Sequence, residues 1–75
     1  MSIGQNIKMV RKAKGMTQAE LAEKSGISRS YLADLEGDRY TPSLNVLYEL
    51  SHNLETEVPE LIKGFGYEAG VKLWL

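Results

Sequence analysis

The segment from Thr17 to Glu36, TQAELAEKSGISRSYLADLE, constrains the fold of this chain more than any other. Thr17 and Glu20 stand at capping-box spacing, so a helix starts there and runs to about Lys24, with Ala19, Leu21 and Ala22 supplying its packing. Gly26 then reverses the chain, as a residue tolerant of positive φ does at little cost. Ser28 is placed to cap a second helix, and Ile27 and Leu32 occupy the positions of a hydrophobic staple. Leu32 and Leu35 face inward, which leaves Ser28, Arg29, Ser30, Tyr31 and Asp34 on an outward edge. Two short helices crossed over a tight turn form the shape that enters a DNA major groove.

The flanking residues read as three more helices. Ser2 and Gln5 cap a helix over about Ile3–Lys14, in which Ile3, Ile7 and Val10 recur at helical spacing and Gly15 is the stop. After a turn at Gly37–Tyr40, Thr41 and Pro42 are expected to open the fourth helix, with Leu44, Leu47, Leu50 and Leu54 as its buried stripe. A short fifth helix around Val58–Lys63 should bury Leu61 and Ile62 and stop at Gly64. Residues 65–75, FGYEAGVKLWL, break this periodicity but stay strongly apolar. The expectation is all-α: a five-helix domain over residues 1–64, then a C-terminal tail over 65–75.

Seventy-five residues are near the lower limit for a core that stands alone, and without cysteine no disulfide or thiolate metal site can staple it. Stability must come from helix packing or from a second copy. No apolar run has the ~20 residues of a membrane span, so the chain reads as soluble and cytoplasmic. A net charge of −1 is unusual for a nucleic-acid binder. The distribution is less neutral: Lys8, Arg11, Lys12 and Lys14 lie at the start, and Glu49, Glu55, Glu57, Glu60 and Glu68 lie towards the end. Such polarity lets one face attract phosphate. Catalysis is not expected. The single histidine, His52, falls on the polar side of the fourth helix, and no catalytic triad, metal cluster or phosphate-cradling loop can be assembled. No cofactor is called for.

Over residues 4–63 the chain resembles helix-turn-helix domains of the phage repressor and Cro type. Gln18, Ala22, Gly26, Ile27, Leu32, Leu35 and Glu36 carry the resemblance in their order and spacing. It implies a five-helix domain, a two-fold dimer and an operator of inverted half-sites, hence a transcriptional regulator and more specifically a repressor. By position it assigns base contacts to Ser28, Arg29, Ser30 and Asp34, a phosphate contact to Gln18, and a structural ion pair to Arg11 and Glu36. Arg29 can take guanine O6 and N7 together, whereas Asp34 could accept from cytosine N4 but would also repel phosphate. Thr17, beside Gln18, sets helix-start N–H groups near the DNA backbone. Tyr31, Arg39, Tyr40, Ser43 and Asn45 are the remaining candidates for backbone contacts. One departure concerns the link after Leu54, where the family often has glycine and this chain has Glu55 and Thr56.

Apolar residues beyond what a small core can hold tend to be covered by a partner. Leu61, Phe65, Val71, Leu73 and Trp74 are therefore expected to form a homodimer contact, the alternative being a tail folded back on its own domain. The rival reading of the whole chain is an antitoxin-type module that binds a partner protein and regulates its own operon.

Overall fold

The computed structural model describes residues 2–63. They form α1 (Ile3–Ala13), α2 (Gln18–Ser25), α3 (Arg29–Glu36), α4 (Leu44–Asn53) and α5 (Val58–Ile62), with no strand among them. Each of the first four helices begins at a hydroxyl cap: Ser2, Thr17, Ser28 and Ser43 accept from Gln5, Glu20, Tyr31 and Val46 N–H respectively. Ser2 and Thr17 form full capping boxes, with Gln5 and Glu20 reaching back to the cap backbone. The fourth helix corrects one expectation. Its cap is Ser43 rather than Thr41, and Pro42 is a buried residue ahead of the helix.

The same four helices end alike. Met16, Ile27, Arg39 and Thr56 each donate their backbone N–H to the carbonyl five residues back, at 2.9–3.1 Å. That closure requires one left-handed residue just before the donor, a place usually taken by glycine. Gly15 and Gly26 fill it after α1 and α2, with φ of 71° and 70°. Asp38 and Glu55 fill it after α3 and α4, with φ of 61° and 53°. The link after Leu54 thus keeps the left-handed turn without the glycine.

The core joins Ile3, Ile7, Leu21, Ala22, Leu32, Leu35, Leu47, Leu50, Leu54 and Leu61. Helix α3 packs against α1 and α2, while α5 packs against α1 and α4. Three positions differ from the sequence reading. Ala19 is exposed on α2, Leu44 is 66% exposed on α4, and Ile62 is only partly covered. Leu44 lies one residue past the cap, where the helix has not yet turned its apolar stripe onto the core. Leu61 is a further correction. It is fully buried within its own domain, so it offers no surface to a second copy. Phe65, Val71, Leu73 and Trp74 lie outside the described residues.

Two buried or half-buried asparagines tie helix ends together. Asn6 donates from its side-chain amide to the carbonyls of Leu61 and Lys63 at 3.0 and 2.7 Å, holding the end of α5 on α1. Asn53 donates to the Lys24 carbonyl at 3.2 Å and to Ser25 Oγ at 3.1 Å, holding the end of α2 on α4. No side-chain polar atom fully shielded from solvent lacks a partner among the described residues.

Candidate nucleic-acid interface

Glu36 sits where α3, α1 and α2 meet. Arg11 donates from Nε to Glu36 Oε2 at 2.7 Å and from Nη2 to Oε1 at 3.0 Å, a two-pronged pair. Its Nη1 donates to the Met16 carbonyl at 2.8 Å. Both side chains are nearly buried, at 9% and 3% exposure. Gln18 Nε2 adds a third bond to Glu36 Oε1 at 3.0 Å. The expected ion pair is present, and the amide of Gln18 belongs to it. What Gln18 leaves open towards a ligand is mainly its backbone N–H. The capping box uses the N–H groups of Thr17 and Glu20, so Gln18 and Ala19 carry the open donors of that turn.

With Glu36 fixed, the opposite edge of α3 faces solvent. Ser28, Arg29 and Ser30 are exposed, and Asp34 is half-buried. Ser28 Oγ accepts from Tyr31 N–H at 3.0 Å as the helix cap, which leaves its hydroxyl hydrogen available to donate. Ser28 and Ser30 hydroxyls stand 3.4 Å apart. Arg29 makes no side-chain hydrogen bond or ion pair among the described residues, so its five N–H donors point to water.

The loop after α3 leans on this edge. Arg39 Nη1 is 3.8 Å from Asp34 Oδ1, a loose surface pair with Arg39 77% exposed. The Tyr40 and Tyr31 rings are tilted against each other, with centroids 6.2 Å apart. Ser28, Ser30, Tyr31, Asp34, Tyr40 and Thr41 together line one open concavity. The structure therefore brings Ser28, Ser30, Tyr31, Asp34, Arg39 and Tyr40 together. Ser43 and Asn45 are exposed at the start of α4 and do not line that concavity. Ser43 Oγ already caps its helix at 3.2 Å from Val46 N–H.

One carboxylate near the interface has a displaced titration. Glu20 is held below its ordinary pKa, first by the Thr17 backbone N–H and then by the Thr17 hydroxyl. Asp38 and Gly4 were not singled out from the sequence. The Asp38 carboxylate accepts from Gly4 N–H and from the Ser2 hydroxyl, joining the loop to the first turn of α1. A Cβ on Gly4 would collide with the Leu35 and Glu36 carbonyls. No sequence signal pairs Asp38 with Gly4, since the contact spans 34 residues and ends on a backbone N–H.

The helix-turn-helix family model matches residues 7–61. The immunity repressor protein of Bacillus phage phi105 is 48% identical over 62 residues, covering 83% of this chain and 43% of the repressor. The chain thus spans less than half the length of that relative. The biofilm master regulator SinR in complex with DNA superposes with a TM-score of 0.75 at 45% identity, covering 79% of this chain and 95% of the other. The P22 c2 repressor in complex with a synthetic operator gives a TM-score of 0.79 at 28% identity, covering 85% and 97%.

Proposed function

We propose a function from an established premise: the chain belongs to the helix-turn-helix family, a family of DNA-binding transcriptional regulators rather than enzymes. It binds double-stranded DNA in a sequence-specific way and represses transcription by occupying a promoter. The observation that carries this reading is the outer edge of α3, where Arg29 has no side-chain partner among the described residues and Asp34 only a loose one, while the inner edge is locked by Arg11 and Gln18. SinR and the P22 c2 repressor, whose folds it shares, are each solved in complex with DNA.

In this reading α3 enters the major groove. Arg29 reads a guanine with two parallel N–H bonds, and Ser28 and Ser30 offer short, adaptable hydroxyls. Asp34 restrains Arg39 at the groove edge. Gln18 and Ala19 N–H, at the positive end of α2, take one phosphate, and Arg39 and Tyr40 take another. Ser43 and Asn45 at the start of α4 serve as an outer phosphate contact. Two copies occupy inverted half-sites ~34 Å apart, which doubles a modest contact set. The contact between copies is assigned to Phe65, Val71, Leu73 and Trp74, supported by the apolar excess of residues 65–75.

Selection of bound sequences from random duplex DNA tests this. A palindrome with half-sites about one helical turn apart is expected. Recovery of no sequence preference refutes specific recognition, and a single unrepeated site refutes the two-fold arrangement. Truncation after Gly64 should move the sedimenting species towards monomer; an unchanged dimer overturns the assigned contact.

A further inference from the structure

Asp38 holds a left-handed conformation that strains any residue with a Cβ. Its carboxylate has a use there. Oδ1 accepts the Gly4 N–H at 3.0 Å and Oδ2 accepts the Ser2 hydroxyl at 2.5 Å. Negative charge at that place also complements the positive end of α1. The contact has little room to slide, because α1 lies so close to the end of α3 that only glycine fits at position 4. The backbone on either side is equally fixed. Asp38 N–H donates to Leu35 at 3.1 Å and Arg39 N–H donates to Asp34 at 2.9 Å.

Arg39 and Tyr40 leave the helix at this fixed point. Both rest on the outer edge of α3, one against Asp34 and the other against Tyr31. Glu55 offers an internal control. It closes α4 with the same turn, and its side chain makes no hydrogen bond or ion pair among the described residues. The turn itself therefore does not require a carboxylate.

We propose that Asp38 is a positioning residue for DNA binding, a role that rests on the function proposed above. By clamping the first turn of α1, its carboxylate sets the direction in which Arg39 and Tyr40 leave α3, and so the phosphate contact they make. Asp38 itself does not touch DNA, since its charge would repel the backbone.

The full chain carrying Asp38→Gly, Asp38→Asn or Glu55→Gly tests this by binding to a short random-sequence duplex over a salt series. Asp38→Gly removes the carboxylate and relieves the left-handed strain, so thermal melting should show it folded. It is expected to bind roughly tenfold more weakly. Its plot of log affinity against log salt should be shallower by ~0.9, the loss of one phosphate. Removing a negative charge alone would strengthen binding, so weakening identifies lost positioning. Asp38→Asn keeps an acceptor and suits the left-handed turn, and should restore the parent slope; Glu55→Gly should match the parent. Backbone relaxation should also show Arg39 and Tyr40 less ordered in Asp38→Gly, with faster exchange at the Gly4 amide. A parent-like affinity and slope in Asp38→Gly, an equal loss in Asp38→Asn, or unchanged order at Arg39 each overturns the proposal. A parent chain that binds no duplex at any salt refutes the DNA-binding function itself, which is a different result from a binding parent with an indifferent Asp38→Gly.

Discussion

Two edges of α3 carry charge, and they differ in what completes them. On the inner edge Glu36 has both oxygens occupied, by Arg11 and Gln18, and is almost entirely out of water. On the outer edge Arg29 has no protein partner among the described residues, and Asp34 has only the loose Arg39 pair. Desolvation accounts for the contrast. A buried charge is tolerated only with excellent geometry and matched hydrogen bonds, whereas an exposed one keeps its water until a ligand replaces it. One eight-residue helix therefore joins a structural edge to a binding edge, and the two should respond to substitution in opposite ways.

Glu36→Ala should give the largest effect. It strands the Arg11 guanidinium in a buried site, at a cost of about 3–5 kcal/mol in chemical denaturation. That is a large share of the ~5–15 kcal/mol that holds a small domain together. A loss under ~1 kcal/mol would place this cluster among ordinary surface pairs and erase the contrast between the edges.

Arg29→Ala should do the reverse. Discrimination at one base pair of the selected site should fall by ~1–3 kcal/mol, with the melting temperature essentially unchanged. If Arg29→Ala binds selected and random duplexes as the parent does, the outer edge loses its principal reader. Glu55→Gly comes next in size. It relieves a left-handed residue without removing any contact, and should raise stability by ~0.5–1 kcal/mol, or ~4–8 °C per kcal/mol in a domain of this size. A drop in melting temperature would mean that Glu55 holds a contact worth more than the strain.

The smallest effect concerns pH. The pKa of Glu20 is lowered in the folded state by the Thr17 N–H, so its contribution is present above the ordinary glutamate range. That contribution is lost as pH falls through the depressed folded value. Glu20→Gln should lower stability slightly at neutral pH and converge on the parent in acid. Curves that stay parallel into acid would remove Glu20 from the cap.

The helices were legible because the first four start at a hydroxyl cap, the fifth opens beside Pro59, and the apolar stripes have helical spacing. Thr17 with Glu20, Ser28 with the Ile27–Leu32 pair, and Gly15 and Gly26 are local signals that the tertiary structure leaves in place. Misreadings arose where a local signal competed with a neighbour. Thr41-Pro42 resembles a helix start, but Ser43 lies two residues after Thr41 and its hydroxyl takes the Val46 N–H as the cap. Leu61 reads as a partner contact because the apolar residues exceed what so small a core is expected to hold, yet the closing of α5 on α1 through Asn6 seals it inside. The Asp38 clamp was not legible, since it joins residues 34 apart in sequence through a backbone N–H that carries no side-chain signature. The outer edge of α3 was legible as soon as Leu32 and Leu35 fixed the inner one.

Nuclear magnetic resonance of the labelled chain titrated with the selected duplex tests the central claim most directly. Perturbed amides should cluster at Gln18–Ala19, Ser28–Asp34 and Arg39–Tyr40, while α5 stays silent. Perturbations confined to α4 and α5, with Arg29 unmoved at saturation, would contradict recognition through α3.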